Sequence, residues 1–138
     1  MKQPPPTPPA SSRAADDTLM ALLGATHRIE AQLEAALAVH GLSTAKFGVL
    51  EALAHANAPL TLTELAGKLS CVRSNVTQLI DRLEADGLVR RVADEADRRS
   101  IRAVLTPEGV ARAHDGALAF AQARRDVEAQ LSDAEHGA

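Results

Sequence analysis

A mainly α-helical fold with a small β wing is predicted by three features of the 138-residue sequence. Apolar residues recur at helical spacing along most of the chain, as in amphipathic helices that bury one face. Two short segments, residues 88–92 and 101–105, instead have the alternating pattern of β-strands. Both are bounded by helix signals, since Gly87 is a typical helix stop and Thr106 a typical helix cap. The order of four helices, two strands and a final helix predicts a winged helix-turn-helix flanked by long helices.

The composition favours a soluble helical protein and excludes several other classes. Hydrophobic residues make up 46% of the chain, with two Phe and no Trp or Tyr, so the core must be built from Leu, Val and Ala. No apolar run approaches the ~20 residues of a membrane span, and the N-terminus lacks the apolar segment of a secretory signal. One cysteine excludes an intramolecular disulfide framework. We therefore expect a cytoplasmic protein that does not contact a membrane.

The net charge of −3 is unevenly distributed along the chain. Residues 70–106 contain seven Arg and six acids, whereas the rest of the chain contains eight basic and twelve acidic residues. The asymmetry has the sign expected for a nucleic-acid partner, but it is modest. An interaction with DNA must therefore depend on where individual arginines lie, because no strongly basic domain is present.

These signals divide the chain into a tail and one domain. Residues 1–14 are rich in Pro and are predicted to form a disordered tail. The domain is predicted at residues 15–138, with dimerisation helices at 15–41 and 107–131 around a DNA-binding lobe at 43–106. Within it, helix signals recur at Gly41 (a stop), at Ser43 or Thr44 (a cap) and at about Gln130 (the end of the last long helix).

The helix-turn-helix itself is predicted between residues 61 and 83. Thr61 and Glu64 have the spacing of a capping box, which opens a short helix to about Leu69. A turn at residues 70–72 leads into a second helix, whose apolar stripe is Val76, Leu79, Ile80 and Leu83. The opposite face, called here the reading face, consists of Arg73, Ser74, Asn75, Thr77, Gln78 and Arg82. Its donors and acceptors are those needed to read base edges, whereas an ordinary solvated face would more often carry Glu and Lys.

Two sequence motifs carry a family resemblance. Residues 97–109, DRRSIRAVLTPEG, resemble the wing signature of the MarR family of bacterial regulators, with a D-x-R pair, an alternating strand ending in Leu-Thr, and a Gly-containing helix start. Residues 81–91, DRLEADGLVRR, resemble the end of the family's recognition helix and its first wing strand. The resemblance covers roughly residues 17–130, with the two motifs in register.

The resemblance implies a transcriptional regulator that binds double-stranded DNA at a pseudo-palindromic operator as a homodimer. Such a regulator is usually a repressor relieved by a small-molecule effector or an oxidant. The side chains expected to face the major groove are Ser74, Asn75, Thr77 and Gln78. Arg73 and Arg82 are expected near phosphates. Gln78 stands where the family often has Arg, so it is a candidate for pairing with adenine.

The wing is expected to reach the adjacent minor groove. Either Arg98 or Arg99 would enter that groove, while the other would pair with a neighbouring acid, Asp94, Glu95 or Asp97. Asp97 is expected to support the wing tip by ion pairing. These assignments come from the resemblance and from the position of each residue within the motif.

Other chemistry receives little support from the sequence. Cys71 could be a redox-sensing thiol, since helix N-termini and a nearby arginine lower thiol pKa, but packing of a small side chain is the favoured interpretation. The five histidines show no i, i+4 pair and no cluster of further ligands, so no metal or cofactor is predicted. His27 and His55 could line an effector pocket. No catalytic motif is found, so an enzyme is not predicted.

The last residues predict a difference from the family. Ser132 and Glu135 form a second capping-box pattern, where family members begin a further dimerisation helix. A single turn is too short to persist, so any dimer would depend on the first helix and on residues 110–130. The alternative function is therefore a winged-helix protein-interaction module or heterodimer partner with weakened DNA binding.

Overall fold

The structure is a computed structural model that describes residues 2–70 and 73–136. Its elements in chain order are α1 (Ala10–Ala38), α2 (Thr44–Ala56), β1 (Leu60–Thr61), α3 (Leu62–Leu69), α4 (Arg73–Ala85), β2 (Val89–Ala93), β3 (Ile101–Leu105) and α5 (Pro107–His136). They form two compact units divided between Gln32 and Leu33, within α1. No helix in the described ranges is both long and apolar enough to cross a membrane. The element order confirms the predicted winged helix-turn-helix.

Both long helices extend further than the sequence predicts. α1 begins at Ala10 and so includes residues 10–14 of the predicted tail, whereas the predicted helix begins at residue 15. The carbonyl of Pro9 accepts the amide of Arg13 at 3.2 Å, and Arg13, Ala14 and Ala15 are good helix formers. The predicted disorder of the residues before Ala10 stays a prediction. α5 runs without a break to His136, so the new helix start expected at Ser132 is wrong. A Ser is a cap only where the backbone leaves helical geometry, and here the neighbouring helix formers keep it helical.

Glycine turns end α1 and α4 with the same arrangement of hydrogen bonds. Gly41 and Gly87 adopt positive φ angles of 70° and 76°, which confirms Gly41 as the predicted stop of the first helix. After α1, the amide of Leu42 donates to the carbonyl of Leu37 at 3.1 Å. After α4, the amide of Leu88 donates to the carbonyl of Leu83 at 2.9 Å. In both turns the two leucines are buried, so each turn closes the helix and returns the chain to the core.

The core of the second unit lies between α2, α3, α4 and the sheet. The predicted apolar stripe of α4 faces it, with Val76, Ile80 and Leu83 fully buried and Leu79 half-buried. α5 packs on α2 through Phe120, whose ring stacks on Phe47 with 5.5 Å between centroids. Burial of three large side chains on one stripe leaves the opposite face of α4 directed to solvent. The core therefore sets the orientation of the reading face.

The sheet has three strands where the sequence predicts two. β1 is only two residues long and pairs with β3, with Leu60 opposite Ala103 and Thr61 opposite Arg102. β3 in turn pairs with β2 along five residue pairs, so the strand order is β1-β3-β2. Periodicity cannot reveal a strand this short, and Thr61 also serves as the cap of α3. The capping box of Thr61 and Glu64 is confirmed, with both of its hydrogen bonds present.

A tight joint connects the end of α4 to the start of α5. The carbonyl of Leu88 accepts the amide of Thr106 at 3.1 Å, and the Thr106 hydroxyl donates to the carbonyl of Gly87 at 2.7 Å. The same hydroxyl accepts the amide of Gly109 at 3.0 Å and so caps α5. A Cβ atom at Gly109 would lie 2.0 Å from the Leu88 oxygen, so this position has room only for glycine. The joint gives a physical reason for the Leu-Thr and Gly positions of the wing motif.

We predict that Gly109→Ala destabilises the protein although Ala is the better helix former. Overpacking against backbone costs about 1–3 kcal/mol, and the gain in helix propensity of about 1 kcal/mol does not offset it. Gly67→Ala is the matched control, since Gly67 lies in α3 with no atom within 4 Å of the added Cβ. Urea unfolding should give a lower midpoint for Gly109→Ala and an unchanged or higher one for Gly67→Ala. Equal midpoints for the two variants would contradict this account of the joint.

Candidate nucleic-acid interface

The reading face of α4 is open to solvent with one exception. Arg73, Ser74, Asn75, Gln78 and Arg82 are all exposed. Thr77 is half-buried, and its hydroxyl donates to the carbonyl of Arg73 at 3.1 Å. The hydroxyl proton of Thr77 is therefore already donated within α4. Only the methyl group and the acceptor lone pairs of this side chain remain for contacts outside the helix.

Acids at the end of α4 are neutralised by cations from other elements. Arg91 on β2 pairs with Asp81 and with Glu84, the latter at 2.9 Å, and Glu84 also accepts the Arg91 amide at 3.1 Å. The hydrogen bond to Asp81 is the main reason that the pKa of Arg91 is raised above its ordinary value. Lys46 on α2 pairs with Asp86 at 2.9 Å. These contacts fasten the end of α4 to β2 of the wing and to α2.

The wing tip, residues 94–100, is shaped by carboxylates that accept backbone amides. Asp97 accepts the amide of Arg99 at 3.0 Å, and Asp94 accepts the amide of Ala96 at 3.1 Å. The Ser100 amide donates to the Asp97 carbonyl at 2.9 Å. Asp97 thus contacts the tip through backbone hydrogen bonds, and the predicted ion pair of Asp97 is wrong, since it forms none with any described residue.

The seven arginines of residues 43–106 divide into two that are paired with carboxylates and five that are not. Arg91 and Arg102 are half-buried among carboxylates. Within residues 43–106, the five arginines that are exposed and form no ion pair with a described residue are Arg73, Arg82, Arg90, Arg98 and Arg99. The expectation that Arg98 or Arg99 pairs with a neighbouring acid is wrong, because Asp94 pairs with Arg102 at 3.2 Å instead. Both arginines of the tip keep their full positive charge available.

A cleft of about 460 Å³ lies beside the reading face. Its walls come from α2, from the end of α3 and from α4, and its lining residues are Thr44, Ala45, Gly48, Leu69, Asn75, Gln78, Leu79 and Arg82. The sequence did not indicate that the first turn of α2 would lie here. The cap Ser43, whose hydroxyl accepts the Lys46 amide at 3.0 Å, predicts where α2 begins but not which element it lies beside. Three reading-face residues therefore form one wall of a concave site.

The remaining sequence candidates are not brought into this interface. Cys71, the redox candidate, lies outside the described residues. His55 has Nδ1 2.9 Å from the carbonyl oxygen of Glu51, one turn earlier in α2, so that nitrogen is engaged within its own helix. Within residues 2–70 and 73–136, no three or more His, Cys, Asp or Glu side chains come together in a way that could hold a metal ion.

Comparisons with known proteins agree with this geometry. The family model described as MarR family matches residues 40–100. PecS of Dickeya dadantii (strain 3937), an HTH-type transcriptional regulator, is 30% identical over 122 residues, which are 84% of this chain and 74% of PecS. YkoM of Bacillus subtilis (strain 168), an uncharacterised HTH-type transcriptional regulator, is 40% identical over 70 residues, which are 51% of this chain but only 45% of YkoM.

Solved structures show the same fold. AbsC, a MarR family transcriptional regulator from Streptomyces coelicolor, has a TM-score of 0.76 and 26% identity over 91% of this chain and 84% of AbsC. A mutant of MarR from E. coli, complexed with operator DNA, has a TM-score of 0.70 and 24% identity over 83% of this chain and 79% of that one. The fold is that of the winged helix-turn-helix DNA-binding proteins. Within that class, the chain belongs to the MarR family of transcriptional regulators.

We predict that the wing contact of Asp94 stabilises the protein in a pH-dependent manner. The amide of Ala96 and then the Arg102 guanidinium hold the pKa of Asp94 below its ordinary value of 3.8. Because the folded state binds this proton less readily than the unfolded state, the contribution is present above pH 3.8 and is lost as pH falls through the lower folded pKa. Unfolding free energies of wild type and Asp94→Asn should differ at neutral pH and converge in acid. A difference that grew with acidity would contradict the assignment.

Proposed function

We propose that this chain is a sequence-specific repressor that binds a pseudo-palindromic operator as a homodimer and is released by a small-molecule effector. The observation that carries the proposal is the placement of an exposed polar helix face beside a wing with two unpaired arginines. The core holds that face outward, and the joint at Gly109 holds the wing next to it. A helix in the major groove and a wing in the minor groove can then contact DNA together.

Base reading is assigned to the amides and hydroxyls of the reading face. Asn and Gln side chains can pair with adenine through two hydrogen bonds, and Gln78 and Asn75 are both exposed. Ser74 and Thr77 are short side chains that suit single contacts to base edges or phosphates. Thr77 would act as an acceptor or through its methyl group, since its proton is already donated within α4.

Backbone contacts are assigned to four of the five free arginines, and Arg90 is not among them. Arg73 and Arg82 lie near the two ends of the reading face, where phosphates flank the groove. Arg98 and Arg99 carry the positive charge of the wing tip, and both are available for the minor groove or its phosphates. This charge is local, so a chain with a net charge of −3 can still attract DNA at one surface.

A homodimer is proposed because both long helices expose apolar side chains. Leu19, Leu22 and Leu23 on α1 are each more than half exposed, as are Leu118 and Leu131 on α5. A second copy could cover such surfaces, which are costly to leave in water. Dimerisation would also place two reading faces on one operator, and a single helix-turn-helix contacts few base pairs.

The proposed effector site is the cleft beside the reading face. Its volume of about 460 Å³ lies within the range of small-molecule sites, and Leu69 and Leu79 give it an apolar wall. A ligand bound there would contact Asn75, Gln78 and Arg82, which are also proposed to contact DNA. Binding of effector and operator would then be mutually exclusive at this surface, which is the behaviour of a ligand-relieved repressor.

We predict that substitutions on the helix and on the wing affect DNA binding in different ways. Gln78→Ala should change the base preference at one position of each half-site, because it removes a hydrogen-bonding group from a base edge. Arg99→Ala should weaken binding to all sequences and lower the log–log salt slope by about 0.9, since one phosphate is no longer neutralised. The measurement is fluorescence anisotropy with duplexes that the full chain selects from a randomised library.

Arg90→Ala is the matched control for the wing variant, because Arg90 is an exposed, unpaired arginine of the same sheet but lies away from the tip. It should leave both base preference and salt slope close to those of wild type. If Gln78→Ala and Arg99→Ala also left binding unchanged, the proposed DNA-binding surface would be wrong.

We predict that Leu19→Ser combined with Leu22→Ser shifts the protein from dimer to monomer. Each leucine buried in an interface contributes about 1.5–3 kcal/mol, and the two substitutions act in both subunits. Size-exclusion chromatography with light scattering measures the mass. Asp17→Ser, an exposed residue on the other side of α1, should leave the mass unchanged. A wild-type protein that is monomeric at micromolar concentration would refute the homodimer.

A further inference from the structure

Arg102 on β3 joins three parts of the DNA-binding lobe. Its guanidinium donates to the carbonyl of Pro59 at 3.2 Å, in the segment that leads into β1. It lies 3.6 Å from a carboxylate oxygen of Glu64 in the first turn of α3 and 3.2 Å from one of Asp94 at the wing tip. One side chain therefore connects the start of the helix-turn-helix to the tip of the wing.

Both carboxylates that Arg102 contacts have a second structural task. Glu64 completes the capping box by accepting the Thr61 amide at 3.0 Å. Asp94 accepts the Ala96 amide, and its own amide donates to the carbonyl of Ser100 at 3.1 Å across the tip. The guanidinium is thus bound to groups whose positions are already fixed by the backbone. A planar fork of donors suits this arrangement, and a single ammonium group could not reach all the partners at once.

The arrangement also determines what Asp94 does to its neighbours. Asp94 lies at the base of the tip, four and five residues before the exposed Arg98 and Arg99. With Arg102 in place, its carboxylate is largely covered, at 15% exposure, and paired. Without Arg102, the same charge would be available to the tip arginines and would compete with phosphates for them. The fork therefore has both a geometric and an electrostatic consequence for the tip.

These ion pairs are poorly suited to a role in stability alone. Partly exposed ion pairs contribute little to stability, and Arg102 and Glu64 retain 30% and 47% exposure of their side chains. The joint at Leu88 and the burial of Val89 and Ala103 already hold β2 and β3 in place. What Arg102 adds is the position of the tip, which is far from that joint.

We propose that Arg102 is a positioning residue for DNA binding, which ties the wing tip to the first turn of α3 and keeps Asp94 from pairing with the tip arginines. Arg102 need not touch DNA to act in this way. The proposal rests on the proposed function, because it assumes that Arg98 and Arg99 contact DNA.

A double-mutant cycle tests whether Arg102 acts through the tip arginines. Arg102→Met, which keeps the apolar stem, is made in wild type and in an Arg98→Ala/Arg99→Ala background, and anisotropy is measured over a range of salt with the library-selected duplexes. In wild type it should weaken binding and lower the salt slope by about 0.9 for each phosphate that a tip arginine no longer neutralises. In the background without tip arginines its effect should largely disappear.

Two further variants distinguish the positioning of the wing tip from a general loss of positive charge. Arg90→Met removes the same charge from the same sheet, so its effect should be equal in both backgrounds. Arg102→Lys keeps a cation near Asp94 but lacks the fork, so its affinity should lie between those of Arg102→Met and wild type. Thermal unfolding of each variant verifies that the fold is retained.

Equal effects of Arg102→Met in the two backgrounds, or no effect in either, would overturn the positioning role. If removing the tip arginines had no effect while Gln78→Ala still changed base preference, the positioning role would fail and the helix part of the proposed function would stand. A wild-type chain that selected no sequence from the library would remove the proposed function, and the positioning role with it.

Discussion

The backbone carbonyl of Leu88 is the point at which α4, the wing and α5 meet. It follows the glycine turn that ends α4, it precedes β2, and it accepts the amide of Thr106 where β3 passes into α5. Gly109 lies so close to it that any side chain would collide. The relative orientation of helix and wing is therefore fixed by backbone contacts, which cannot adjust as surface ion pairs can. α5 starts at the same point, so a subunit contact made by α5 would be mechanically linked to α4.

Around this joint, the positive surface depends on which arginines are left unpaired by acids, and not on an excess of basic residues. Arg91 and Arg102 are paired with carboxylates that brace the wing, and they lie one position apart in the register of β2 and β3. The remaining arginines of the lobe stay free at its surface, including both arginines of the tip. The chain can therefore carry a net charge of −3 and still have a local positive surface. Acids in this lobe have structural tasks, as the positions of Glu84 and Asp94 show.

The reading face is exposed to solvent and also borders the cleft. The same side chains therefore have two proposed roles, in binding DNA and in binding an effector. Asn75, Gln78 and Arg82 project from α4 where they can meet a groove of DNA, and they also form one wall of the cleft against α2. A ligand and an operator would then compete for the same side chains. Such competition requires no large conformational change, in contrast to mechanisms in which a remote site reorients the two lobes of a dimer.

Local sequence patterns were sufficient to predict the order of elements, the apolar stripe of α4 and most helix ends, because caps, glycine stops and periodicity depend on residues within a few positions of one another. They placed the capping box at Thr61 correctly and missed β1, which exists only because β3 passes beside it. They could not assign the arginines. Arg102 meets Pro59 across 43 positions and Arg91 meets Asp81 across 10, and no local pattern records such pairs. Only the tertiary structure shows which arginines are paired with acids and which are unpaired. The reason is that pairing depends on distances in space between segments that are distant along the chain.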